Sequence, residues 1–296
     1  MGRQRVLRSL AVLAVSLVSS LVPLMATVSA ASASAPAVFY LDLGASESVG
    51  VQPTAASPLG QPTNDGYAND LVALEASRGV NLQLTELGCP GESTTTMISG
   101  DDHCYQAPNS QLTRAVAFLQ AHFNQPGLVT IDLGFNNLRH CIHQEFSDQN
   151  CVTTQLATLR TQLTSILQTL IAAAGPQVSF IGLNHNDPYL ANALNRTHDL
   201  NFAMGSSVAI DALNATLSDV YGLFGIPVAN IARAFSNAVQ RPTRFPHLGH
   251  VPTNEARACT WTWMCRRGHY GPNLHPNNVG YQVMANTIAT MMPVWS

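Results

Sequence analysis

Short apolar runs recur along the chain, and an amphipathic stretch follows almost every one. Ala37 to Leu43, Val80 to Leu87, Leu128 to Leu133, Val178 to Leu183 and Ile226 to Ile231 are runs of this kind. A strand apolar on both sides has to be covered on both sides, which is the condition of strands in a parallel sheet. The stretches between them read as helices. Asn64-Asp65-Gly66 caps one with Tyr67, Leu71 and Leu74 on a single face, and Ser110 caps another with Ala115, Phe118 and Leu119 inward. Leu156, Leu159, Leu163, Ile166, Leu167 and Leu170 repeat at three and four residues until Gly175 and Pro176 stop the helix. Ala203 to Tyr221 and Val279 to Met292 are helical as well, and residues 240–278 read as one long loop. The expected class is α/β, a mostly parallel sheet between two helical layers. Ligands of such sheets bind beyond the C-terminal strand ends.

Residues 1–35 have the form of a secretory signal peptide. Arg3, Arg5 and Arg8 precede an apolar stretch from Leu10 to Met25, and small residues around Ala30 and Ala35 offer cleavage sites. The unbroken apolar runs are shorter than the roughly 20 residues of a membrane span. The expectation is therefore an exported chain, secreted or held at the cell envelope, with a single domain over 36–296 and no stable membrane span. All 14 basic residues are arginine, and without the three in the signal 11 of them face 17 acidic residues. That balance argues against nucleic acid as a partner. Nothing in the sequence asks for more than a monomer.

Six cysteines agree with export. They allow 15 connectivities, of which neighbours in sequence are the simplest: Cys89–Cys104, Cys141–Cys151 and Cys259–Cys265. The competing reading is metal binding, since His140 and His143 flank Cys141, but no CxxC spacing occurs. We expect disulfides, no metal and no cofactor.

Three strand ends carry residues suited to acyl chemistry. Ser46 follows the first strand in Gly44-Ala45-Ser46-Glu47-Ser48, where a turn exposes its hydroxyl above the sheet edge. Read alone, it is as well explained as a helix cap. Gly91 lies after the second strand beside Cys89, and Asn136 ends the third. The N–H groups of Ser46 and Gly91 with the Asn136 amide make three donors of the kind a tetrahedral oxyanion needs. His275, just before the last helix, is a candidate base for Ser46. His247, His250 and His269 in the same loop are its rivals.

Together these segments resemble the SGNH (GDSL) hydrolase family, and the secreted, disulfide-bearing bacterial branch of it. The blocks are Gly44-Ala45-Ser46-Glu47-Ser48, Gly88-Cys89-Pro90-Gly91-Glu92-Ser93, Gly134-Phe135-Asn136-Asn137 and His275-Pro276-Asn277 with Gly280-Tyr281, in order across nearly all of 36–296. The resemblance implies a flavodoxin-like three-layer α/β/α sandwich. It implies hydrolysis of small-molecule or lipid carboxylic esters through an acyl-enzyme. Ser46 would be the nucleophile, His275 the base, and Ser46, Gly91 and Asn136 the oxyanion hole. Three positions depart from the pattern. Ala45 replaces the first-block Asp, and Asn137 replaces the Asp that usually follows the third-block Asn. Pro272 stands where the family has the Asp that orients the histidine. The expected substitute is a backbone carbonyl, most simply that of Pro272, accepting the His275 Nδ1–H.

Other readings are acyl transfer to a sugar or lipid acceptor, a non-catalytic binding protein on the same scaffold, and a metal-dependent hydrolase using His140-Cys141-Ile142-His143 or His247-Leu248-Gly249-His250. Asn195-Arg196-Thr197 and Asn214-Ala215-Thr216 match glycosylation acceptors by chance composition. Trp261 and Trp263 are read as packing around a disulfide loop or as walls of an acyl pocket, and Asp187-Pro188 as a turn.

Overall fold

A computed structural model describes residues 37–101, 103–142, 148–195 and 198–295. Residues 1–36, on which the expected signal peptide falls, His143 and residues 196–197 lie outside them, as does the side chain of His269. The elements are β1 (Ala37–Gly44), α1 (Tyr67–Ser77), β2 (Asn81–Glu86), α2 (Thr94–Ser99), α3 (Gln111–Ala121), β3 (Gly127–Asp132), α4 (Phe135–Leu138), α5 (Gln149–Ala173), β4 (Val178–Leu183), α6 (Leu200–Gly222), β5 (Val228–Ala229) and α7 (Ile231–Ala234). There follow β6 (Pro242–Phe245), β7 (Gly249–Pro252), α8 (Thr253–Trp261), β8 (Thr262–Trp263), β9 (Asn273–Pro276) and α9 (Asn278–Ala289).

β1 to β5 form one parallel sheet in the order β2-β1-β3-β4-β5. Alternation along β1 divides the core. Phe39, Leu41 and Leu43 pack with α3, α5 and α6, whereas Val38 and Tyr40 face α1, α7 and α9. This is the α/β/α sandwich expected. The leucine stripe of α5 is buried at Leu159, Leu163, Ile166, Leu167 and Leu170, and each such side chain contributes roughly 1.5–3 kcal/mol on leaving water. β1 also carries one acid inward: Asp42 accepts from Tyr67 Oη at 2.7 Å and from Thr130 Oγ1. Burial pushes its carboxyl well above the usual range, against the two hydroxyl donors that favour its charged form.

Two expectations are corrected. The fifth strand is only Val228–Ala229, because Pro227 and Asn230 bracket it. Residues 240–278 are not one loop: they hold the β6–β7 hairpin, α8 and the β8–β9 pair. Their apolar residues show neither period clearly, and the segment is organised by the Cys259–Cys265 bridge instead. The other disulfides are Cys89–Cys104 and Cys141–Cys151. Among the described residues no helix is long and apolar enough to cross a membrane.

Candidate active site

Strand register brings the first and third motif segments side by side. Gly44 pairs with Asp132 across β1 and β3, and Ser46 and Asn136 follow just beyond these two ends. A Cβ on Gly44 (φ +139°) would lie 2.1 Å from the Asp132 carbonyl oxygen, so only glycine allows the turn. Gln111 clamps it: Oε1 accepts the Gly44 N–H at 2.8 Å and Nε2 donates to the Gly44 carbonyl at 2.9 Å. Ala45 N–H donates to the Asp132 carbonyl at 3.0 Å, and Ser48 Oγ to the Ala45 carbonyl at 2.7 Å. The turn is thus held without a carboxylate at position 45.

Ser46 is half-buried, and neither its N–H nor its Oγ has a hydrogen-bond partner among the described residues. Cys89 N–H donates to the Gly44 carbonyl at 3.0 Å, tying the second segment to the first. Gly91 (φ +87°) is exposed, and its N–H also lacks an acceptor among the described residues. Asn136 Nδ2 donates to the Glu92 carbonyl at 3.0 Å, which aims the amide and leaves its second hydrogen. Asn137 turns away: its Oδ1 accepts Thr94 N–H at 3.1 Å and its Nδ2 donates to Thr94 Oγ1 at 2.8 Å. Behind these donors burial pushes Glu92 up to about 7, and Gln111 Nε2 donates to its Oε2 at 2.9 Å.

His275 lies on β9. Its Nδ1 is 2.7 Å from Asn273 Oδ1, and its own N–H donates to that oxygen at 3.0 Å. The partner of Nδ1 is therefore the Asn273 side chain, not the expected carbonyl of Pro272. An Asn side chain closes readily on the residue two further along. Asn273 is itself pinned, since Nδ2 donates to the Leu59 carbonyl at 2.9 Å. Because Oδ1 only accepts, Nδ1 carries the proton and Nε2 the lone pair. Burial, with the Arg139 guanidinium adding, pushes His275 down to about 4. No hydrogen bond joins His275 to Ser46; such contacts commonly tighten only around substrate.

A recess of about 10 Å³, room for one water-sized group, is lined by Ser46, Asn136 and Leu274 together with Glu47, Asp132 and His185. Burial pushes Glu47 well above the carboxylate range, and the neighbouring Asp132 adds to it. Leu274 also packs against a cluster with Met264 and Phe245. Those two residues, with Leu194, Leu248, Arg266 and Arg267, line a cavity of about 630 Å³.

The remaining expectations separate. His247 borders that cavity, but neither it nor His250 joins a group of three potential metal ligands among the described residues. Cys141 is taken by its disulfide. Trp263 Nε1 donates to Gln52 Oε1 at 3.1 Å, and Trp261 packs edge-on against Phe235, so neither walls the large cavity. Asn214 is buried and bonds both backbone groups of His185, which excludes it as a glycan acceptor. Asp187 caps a short 3₁₀ turn. The sequence reading passed over Asn273, Glu47, Asp132 and His185.

No protein-family model matches the chain, and no curated protein does. Solved structures do. Phospholipase A1 from Streptomyces albidoflavus NA297 superposes with a TM-score of 0.57 at 19% identity, over 86% of this chain and 99% of that one. An extracellular lipase from Streptomyces rimosus gives 0.57 at 16%, over 86% and 100%. The lipase Lip_vut3 from a goat rumen metagenome gives 0.52 at 14%, over 86% and 96%. The likeness is one of fold, and it takes in 86% of this chain and nearly all of each of the three others.

Proposed function

We propose that the chain is a secreted serine ester hydrolase of the SGNH (GDSL) kind, with Ser46 as nucleophile and His275 as base. The carrying observation is the set of donors beside Ser46. Two amides without acceptors and one half-occupied side-chain NH₂ stand at adjoining strand ends, where nothing in the fold requires them unsatisfied. Nε2 of His275 takes the Ser46 proton as Oγ bonds to the ester carbonyl carbon. The oxyanion is held by the Ser46 and Gly91 N–H groups and Asn136. The imidazolium then protonates the departing alcohol, and water repeats the sequence on the acyl-enzyme.

Asn273 fixes the tautomer without supplying a negative charge. A base held near 4 abstracts the serine proton less readily than a carboxylate-supported one, but stays unprotonated in moderately acidic solution. The cavity behind Leu274 suits an acyl chain. Export is supported by the signal-like N-terminus, three disulfides, and the extracellular lipase among the structural neighbours. The test is hydrolysis of p-nitrophenyl esters from acetyl to long acyl chains, alongside labelling by a fluorophosphonate. Turnover with the label on Ser46 supports the reading, and a chain-length optimum beyond butyryl supports use of the cavity. An inert protein that no fluorophosphonate labels overturns it.

A further inference from the structure

Three groups lining the recess take no part in that chemistry. Glu47 follows the serine, Asp132 ends β3, and His185 follows β4. One ligand atom from each lies within 4.8 Å of the other two. Asp132 and His185 are only 1% and 3% exposed. Among the described residues Glu47 Oε2 is buried without a hydrogen-bond partner, and no side chain donates to Asp132, whose carboxyl is met by His185 and by the backbone N–H groups of Ala45 and Ser48. A buried carboxylate so poorly compensated either takes up a proton or meets a positive charge, and burial raises both of these carboxyls.

The histidine geometry says what meets them. His185 Nε2 lies 3.0 Å from the Leu133 carbonyl oxygen, which can only accept, so Nε2 carries the proton. In the neutral ring Nδ1 is then a lone pair, and it faces Asp132 Oδ1 at 3.5 Å. That is long for a hydrogen bond. It matches the ~3.4 Å between two ligands of one tetrahedral cation with bonds near 2.1 Å. A ring N–H donated to a backbone carbonyl is also the usual outer support of a metal-bound histidine. A divalent cation takes the place of those protons and compensates both carboxylates at once.

We propose that Glu47, Asp132 and His185 bind one divalent transition-metal cation directly behind Ser46, through His185 Nδ1 and an oxygen of each carboxylate. One carboxylate-rich side with a single imidazole suits Zn²⁺ or Mn²⁺. The open position faces the recess, where one water fits. The cation ties the turn of Ser46 to the ends of β3 and β4. The site stands whether or not the chain hydrolyses esters, because its readout is binding.

The test takes the full protein, stripped with a chelator and dialysed, and titrates it calorimetrically with ZnCl₂. Retained metal is counted by mass spectrometry after gel filtration. The expected result is one equivalent of Zn²⁺ and a raised melting temperature. Affinity should fall at least about tenfold in Asp132→Asn and His185→Gln, and stay unchanged in a His247→Gln/His250→Gln control. Glu47→Gln, at a half-buried position, serves should the other two fail to fold. No stoichiometric uptake by the native protein overturns the proposal. So does uptake that survives these substitutions and disappears in the control.

Discussion

The two halves of the candidate site are built in opposite ways. The Ser46 half hangs on the central sheet: β1 and β3 set its spacing, and buried Gln111 locks its turn from beneath. The His275 half belongs to no large element. It sits on a four-residue strand paired with a two-residue one, beside a disulfide, and is steadied by single side chains reaching far along the chain. The serine side is positioned by the same burial that stabilises the protein, whereas the histidine side is positioned by contacts that contribute little to stability. Damage to the first should therefore register in melting as well as turnover, and loss of a single side-chain contact in the second in turnover alone, its disulfide being the exception.

The sharpest break is Gln111→Leu. It strands the Gly44 N–H and the Glu92 carboxyl in buried surroundings, at about 3 kcal/mol or more. Thermal melting and kcat should fall together; an unchanged melting temperature would refute the clamp. Next is Asn273→Ala, which frees the imidazole to rotate. We expect kcat to drop about 10²-fold with KM and melting nearly unchanged, and partial rescue in Asn273→Asp. A proportional loss of stability would erase the contrast between the halves. Replacing Cys259 and Cys265 by serine should cost about 2 kcal/mol and lower kcat/KM, while circular dichroism of the sheet persists.

The smallest effect concerns pH. The proposed mechanism needs neutral His275, so kcat/KM should hold down to mildly acidic solution and fall as pH drops through about 4. A histidine of ordinary pKa near 6.5 would lose it far earlier. Burial does most of this lowering and Arg139 adds to it, so Arg139→Gln should move the acid limb only slightly upward, the guanidinium being exposed. The sign for stability is the same. Between about 4 and about 6.5 the unfolded chain binds a proton that native His275 refuses, so stability declines as pH falls through that window.

What the sequence made legible follows the same division. Apolar runs and the α5 stripe report burial, which acts locally and leaves a period, so the sheet, its helices and the serine turn could be read. Neighbouring cysteines pair as spacing suggests. The segment after residue 240 is organised by a covalent bridge and single side chains, which leave no period. Asn273 could have been found: an Asn two residues before the histidine is the signature of a side chain folding onto that residue. Glu47, Asp132 and His185 come from three separate strand ends, and only the parallel register gathers them. The one hint was an acid closing the otherwise apolar run of β3.

Three tether bonds cross almost the whole chain. Asn273 reaches the Leu59 carbonyl, Trp263 reaches Gln52, and the Tyr281 hydroxyl reaches the Val51 carbonyl, across 214, 211 and 230 residues. A ribosome delivers the early partners first and the late ones last. On the proposed mechanism, the serine turn is made long before the histidine that would activate it, and contacts of such long span are the slow ones to close. On that mechanism the nascent chain is without its base until its final segment is made.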